Sequence, residues 1–176
     1  ALMLAAMALF AVEDMFLKWA ATDLPVGMVI FVAGAFGAPV FALMARLEGR
    51  PVLSRAALHP AVIARNAGEM VATIAYISAL AVVDLSTVSA VLQATPLAVT
   101  LGAALFLREQ VGWRRWSAIA VGFAGVLLVI RPGMDGFRPE ALWVLISVVG
   151  LALRDLSSRA IPASCSTAQV SCWGLM

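Results

Sequence analysis

The sequence predicts an all-α protein, a polytopic bundle of transmembrane helices. Of its 176 residues, 63% are hydrophobic and only 12% are charged, and the mean hydropathy is +1.00. A soluble domain has about 25% charged residues, and a chain of this size cannot bury so much apolar surface in its own core. The composition therefore argues against a soluble enzyme, a nucleic-acid-binding module and a disordered tail. We expect membrane lipids around the chain and no nucleic acid as a partner.

Six stretches are long and apolar enough to cross a membrane as helices, for which about 20 residues are needed. They are Leu2–Ala21, Pro25–Ala45, Ala61–Val83, Leu85–Leu107, Trp113–Ile130 and Pro139–Arg159. Pro96 lies inside the fourth stretch, where we expect it to kink the helix and to free a backbone carbonyl. A seventh helix is predicted to begin near Thr167.

The distribution of basic residues predicts how the chain is oriented. Nine of the 12 Lys and Arg residues lie in or beside the connections after the second, fourth and sixth stretches. The positive-inside rule assigns these connections to the cytoplasm. We therefore expect a multi-pass protein of the cell (inner) membrane whose N-terminus is cytoplasmic.

Two segments of the chain resemble each other and predict an internal repeat. Segments 11–18 and 152–159 each begin with Ala, have Asp three residues later and end on a basic residue after four more. Five predicted helices separate the starts of the two copies. Because five is an odd number, the second copy is inserted upside down relative to the first. Inverted repeats of this kind are typical of secondary transporters.

The third to fifth predicted helices and their connections carry a set of motifs. These are Ala79-Leu80, Asp84-Leu85-Ser86-Thr87, Ala94-Thr95-Pro96-Leu97, Leu105-Phe106-Leu107-Arg108-Glu109, Gly112-Trp113-Arg114-Arg115, Gly122-Phe123-Ala124-Gly125-Val126 and Arg131-Pro132-Gly133. In these motifs the chain resembles the EamA domain of the drug/metabolite transporter superfamily. The resemblance implies ten helices in two inverted halves and the export or uptake of small metabolites.

The resemblance also implies a domain organisation. Residues 1–133 would form the first EamA repeat of five transmembrane helices, and residues 139–176 would begin the second. We therefore expect the chain to be truncated, and to need a missing second half or a second chain to form a complete transporter.

Polar residues inside the predicted spans are candidates for function, because a charge at the bilayer centre costs at least about 2.5 kcal/mol. The predicted substrate-binding or cavity-lining residues are Glu69, Thr73, Tyr76, Gln93 and Pro96. The predicted coupling or gating residues are Glu13, Asp14, Arg154 and Asp155.

Local pairing is the alternative interpretation of these charges. Asp14 with Lys18, and likewise Asp155 with Arg159, are spaced as i,i+4 pairs, and Arg65 can pair with Glu69 in the same way. For Gln93 the alternative is a hydrogen bond between helices. Helix geometry places Glu13 and Arg154 about 14 Å apart in height, which argues against a direct salt bridge between them.

The sequence thus predicts a secondary transporter of small metabolites that works by alternating access on a small-molecule solute. We expect no enzyme activity, no catalytic residues and no cofactor. A single His and the spacing of Cys165 and Cys172 match no metal site. The alternative function is that of a non-transporting membrane scaffold or assembly protein.

Overall fold

The computed structural model describes residues 2–52, 54–130, 139–163 and 165–175, and every regular element in these ranges is helical. Its α-helices are α1 (Leu2–Asp23), α2 (Val26–Leu47), α3 (Pro60–Val82), α4 (Leu85–Leu92), α5 (Thr95–Phe106), α6 (Trp113–Ile130), α7 (Leu142–Ser158) and α8 (Thr167–Leu175). Short 3₁₀ turns at Arg55–Leu58 and Pro139–Ala141 precede α3 and α7. The all-α fold class is confirmed, and α8 begins at the predicted residue.

Within the ranges that the structure describes, four segments are long and apolar enough to cross a membrane, judged by length and composition. These are Val26–Leu47, Leu85–Phe106, Trp113–Ile130 and Pro139–Ser158. Helices α1 and α3 are of similar length to these segments, with 22 and 23 residues, and both carry ionisable side chains within their length.

The fourth predicted helix is broken into α4 and α5 at Gln93 and Ala94. Pro96 has no backbone N–H, so the carbonyl of Leu92, four residues earlier, loses its helical partner. The hydroxyl of Thr95 donates to that carbonyl at 2.7 Å. A side chain thus satisfies the carbonyl that proline leaves free, as a backbone inside a membrane requires.

The centre of the bundle is the contact between α3 and α7, which is the most extensive helix pair in the structure. A Cβ added to Gly68 would lie 2.8 Å from both the Gly150 oxygen and the Arg154 nitrogen, and one added to Gly150 would lie 2.7 Å from the Ala72 nitrogen. The two backbones therefore touch through small residues, which is how helices approach closely in membranes.

Helix α8 is held by the connection between α2 and α3. Its first turn is a capping box in which Gln169 N–H donates to the Ser166 hydroxyl at 3.2 Å and Ser166 N–H donates to the Gln169 amide oxygen at 2.9 Å. The Gln169 amide also donates to the Pro51 carbonyl, and the Trp173 indole donates to the Val52 carbonyl, both at 2.7 Å. These bonds fix α8 to the connection, and α8 packs mainly against α2.

Candidate functional site

A cavity of about 800 Å³ lies between α2, α3 and α8, and one residue of α7 reaches it. This volume is within the usual range for small-molecule sites, about 300–1,000 Å³. Its apolar lining includes Ile30, Phe41, Ile63, Met70, Ile74 and Trp173. Its polar side chains are Arg65, Asn66, Glu69, Thr73, Arg154 and Ser171.

The charged residues at the cavity form a connected group, which we call the ionic cluster and which consists of Arg65, Glu69, Arg154 and Asp155. Arg154 Nη1 lies 3.4 Å from both carboxylate oxygens of Glu69, and Arg65 Nη2 lies 3.6 Å from one of them. Arg154 Nε donates to Asp155 Oδ1 at 2.9 Å. Each charge is balanced locally, which reduces the cost of placing it in a medium of low dielectric constant.

The cluster follows from the sequence of α3 and from its contact with α7. Arg65 and Glu69 are one helical turn apart on α3 and therefore share a face. Gly68 leaves room for the α7 backbone at Arg154, since a Cβ at this position would lie 2.8 Å from the Arg154 nitrogen. The missing side chain of Gly68 thus allows a guanidinium from α7 to reach the carboxylate of its neighbour, Glu69.

A second polar contact joins α1 to α3. The Tyr76 hydroxyl donates to Asp14 Oδ1. Lys18 Nζ donates to the carbonyl of Leu80 and, at 2.8 Å, to that of Val83. These carbonyls are at the C-terminal end of α3, where a cation also interacts favourably with the helix dipole.

Two of the local pairs considered in the sequence analysis are wrong. Lys18 is bonded to carbonyls of α3 instead of Asp14. Arg159 is paired with Glu109 at 2.8 Å instead of with Asp155, which accepts from its neighbour Arg154. The physical reason is that both bases are near helix ends, where acceptors from other elements are within reach. The local pair of Arg65 with Glu69 is confirmed.

The predicted site residues are distributed between these two contacts and the break in the fourth span. Glu69, Thr73 and Arg154 line the cavity, and Asp155 adjoins it through Arg154. Within the described residues, the lining does not include Tyr76, which faces Asp14, or Gln93 and Pro96, which are exposed at the break between α4 and α5. Glu13 is exposed on α1, and its carboxylate is not paired with Arg154.

Most of the lining residues were not among the predicted site residues, and three of them show why. Arg65 was considered as the local partner of Glu69, and its position one turn away was a usable signal. Asn66 accepts a hydrogen bond from Arg65 Nη1 at 3.1 Å, a contact between adjacent residues that no helical spacing rule indicates. Trp173 belongs to the last described helix, for which the sequence offered only a predicted start.

The fold indicates a polytopic α-helical membrane protein, and between its helices lies a cavity whose lining includes charged side chains. The sequence profile of the EamA-like transporter family matches residues 1–131, about three quarters of the chain. The chain therefore belongs to this family, as its motifs predicted.

Several curated proteins are similar to parts of the chain. An S-adenosylmethionine uptake transporter of Rickettsia bellii is 28% identical over 80 residues, which are 46% of this chain and 28% of the relative. A riboflavin transporter of Rhizobium johnstonii is 30% identical over 102 residues, 58% of this chain and 34% of the relative. A pseudopaline exporter of Pseudomonas aeruginosa is 28% identical over 156 residues, 85% of this chain and 54% of the relative.

The matched segments thus span between about a quarter and about half of these relatives. No solved structure matches the chain.

Proposed function

We propose that the chain forms part of a secondary transporter that moves small metabolites across the membrane by alternating access. The observation that carries the proposal is the cavity of about 800 Å³ with an ionic cluster in its wall, in a member of a transporter family. Intramembrane ion pairs are costly to bury and are typical of solute pathways. A transporter needs no covalent chemistry at this site, so we propose no enzyme activity.

We also propose that the site is completed by a second inverted half, either a further segment or another chain. In this proposal residues 1–133 are the first repeat and residues 139–176 begin the second. Gln93 and Pro96 are exposed at the broken span, and Glu13 is exposed on α1. They would line the solute path or contact the second half, while Asp14, Arg154 and Asp155 would take part in gating.

Transport by the complete protein in proteoliposomes tests the proposal. The first solutes to assay are those named for the relatives, namely S-adenosylmethionine, riboflavin and pseudopaline. We expect saturable flux of at least one small metabolite, and loss of most of that flux in Glu69→Gln. The matched control is Glu48→Gln, which removes an exposed carboxylate at the end of α2. A folded protein that carries no solute would contradict the proposal and favour the scaffold function.

The orientation is tested separately by labelling cysteines in intact cells with a membrane-impermeant maleimide. We propose that the N-terminus and the connection between α7 and α8 are cytoplasmic, in the inner membrane. Cys165 lies in that connection and is partly exposed, whereas Cys172 is buried in α8. Cys165 should be labelled only after the cells are permeabilised, and Thr22→Cys in a cysteine-free background should be labelled without permeabilisation. The reverse labelling pattern would show that the chain has the opposite orientation in the membrane.

A further inference from the structure

Three exposed arginines lie at the connection between α5 and α6, outside the cavity lining. We call Arg108, Arg114 and Arg115 the basic patch. In the part of the chain that the structure describes, none of the three is paired with a carboxylate. The acid next to Arg108 in the chain, Glu109, is already bonded to Arg159 at 2.8 Å. The connection therefore presents positive charge that the described residues do not neutralise.

The basic patch lies where a membrane surface is expected. Helix α6 has 18 residues and is therefore about 27 Å long, close to the thickness of the hydrocarbon core, about 30 Å. Its first residue, Trp113, is 76% exposed, and Trp116 is exposed one turn later. Phe106, the last residue of α5, is 80% exposed. Tryptophan at the end of a spanning helix is typical of the boundary between hydrocarbon and lipid headgroups.

Helix α6 is at the edge of the bundle and packs mainly against α4 and α5. Residues 113–118 at its start are all exposed. The Arg114 guanidinium lies 5.7 Å from the centroid of the Trp113 ring, which is within the range of a cation–π interaction. One charge of the basic patch is thus held beside an aromatic ring at the level of the headgroups.

The backbone at Arg108 is in an unusual conformation. Its φ of 53° is in the left-handed region, which favours glycine and is costly for a residue with a Cβ. The N–H of Glu109 donates to the Ala103 carbonyl at 3.2 Å, so the chain turns back toward the end of α5. Arginine is a poor residue for this turn, and it adds a cation to the basic patch. This combination favours a role for the side chain of Arg108 over a role in folding.

We propose that the basic patch binds the headgroup of an anionic phospholipid. The lipid phosphate lies among the guanidinium groups of Arg108, Arg114 and Arg115, and the acyl chains extend along the exposed rings of Phe106 and Trp116. A lipid brings negative charge and apolar chains to the same level of the membrane, whereas a soluble anion lacks the chains. The site goes beyond the proposed transport function and does not depend on any solute.

Native mass spectrometry of the complete protein in detergent tests the proposal. The probes are dioleoylphosphatidylglycerol and dioleoylphosphatidylcholine, which share their acyl chains and differ in net charge. We expect the first phosphatidylglycerol molecule to bind at least about tenfold tighter, because each arginine near the headgroups changes the affinity by about fivefold. Higher salt should reduce this preference. Glycerol 3-phosphate has the phosphate without the chains and should not displace the lipid at millimolar concentration.

Variants of the basic patch should weaken the binding of phosphatidylglycerol alone. Arg114→Gln and Arg115→Gln should each lower its affinity by about fivefold and leave that of phosphatidylcholine unchanged. Arg108→Gly should have the same effect on affinity, but its melting temperature should not fall, since glycine relieves the left-handed backbone. Weaker binding in a variant of equal or greater stability cannot come from unfolding. Arg55→Gln is the control, because this exposed arginine begins the 3₁₀ turn between α2 and α3.

Three results would overturn the proposal: equal affinity for the two lipids, an affinity for phosphatidylglycerol that the patch variants do not lower more than the control, or displacement by glycerol 3-phosphate. The last result would indicate a site for soluble anions. Equal affinity together with lower melting temperatures of Arg114→Gln and Arg115→Gln would indicate that an acidic protein segment covers the patch. Saturable solute flux alongside any of these results would refute the lipid site and leave the transport function intact.

Discussion

Helix α3 contacts α1 through one set of polar groups and α7 through another, and the two contacts use similar sequence segments differently. On α1, Asp14 accepts from a tyrosine hydroxyl and Lys18 binds the carbonyl end of α3. On α7, Asp155 holds Arg154 next to Glu69, and Arg159 lies at the exposed end of the helix with Glu109. The first contact neutralises a helix end, and the second brings charges to a cavity.

The comparison shows that a repeated sequence pattern, an aspartate followed by a basic residue four positions later, does not determine which groups these two side chains bind. The residue before the aspartate differs, being Glu13 on α1 and Arg154 on α7. The distance between the backbones differs as well, because glycines let α7 touch α3. Each contact can be broken separately, and the expected effects decrease in the following order.

The largest effect is expected from Gly68→Ala. The new Cβ would lie 2.8 Å from backbone atoms of α7, and backbone cannot move aside as a flexible side chain can. Overpacking of this kind costs up to about 3 kcal/mol of the free energy of unfolding. Unfolding in detergent measures the loss. Gly125→Ala on α6 is the control, since nothing lies within 4 Å of its Cβ, and equal losses in the two variants would contradict the backbone contact.

Arg154→Met should destabilise the protein by about 2 kcal/mol, because the partly buried carboxylates of Glu69 and Asp155 lose their shared cation. The matched control is Arg159→Met, at the residue that follows the same helix. Its pair with Glu109 is about half exposed, with side-chain exposures of 49% and 48%, so its loss should cost less than about 1 kcal/mol. Denaturant titration of both variants checks the order, and a reversed order would refute the central position given to Arg154.

Lys18→Met should lower the free energy of unfolding by about 1.5 kcal/mol, since two carbonyls at the end of α3 lose a charged donor. Lys18→Arg, which keeps charge and donors, should recover most of this stability. Hydrogen exchange provides a local measurement, in which the last turn of α3 should exchange faster in the Met variant. Unchanged exchange would show that Lys18 does not stabilise this end.

Tyr76→Phe should have the smallest effect and lower the free energy of unfolding by about 1 kcal/mol, because it removes one hydrogen bond to a half-buried carboxylate. A double-mutant cycle with Asp14→Asn measures the pairwise energy directly. Additive losses in the cycle would mean that the two side chains do not interact.

The helices were largely predictable from the sequence, because a stretch of about 20 apolar residues has few alternatives in a membrane. The predicted Ala61–Val83 differs from α3 by one residue at each end. Pro96 correctly indicated a perturbed helix, but the spacing did not indicate that the Thr95 hydroxyl would bond to the carbonyl of Leu92.

The site was predictable only where one helix determines it. Glu69 and Thr73 share a face of α3 by helical spacing, and both line the cavity. The partners of Lys18 and Arg159 come from other elements, and the spacing of residues along one helix contains no information about them. The contact of Arg154 with Glu69 depends on Gly68, whose effect appears only when two backbones meet.

The hydrogen bonds between α8 and the connection after α2 have a consequence for the synthesis of the protein. Gln169 and Trp173 bind carbonyls that precede them by 118 and 121 residues in the chain. The ribosome therefore synthesises α2 and α3, which form one side of the cavity, long before it synthesises α8, which forms the other. Until α8 has been synthesised, Arg65 and Glu69 of α3 lack the side of the cavity wall to which Trp173 belongs.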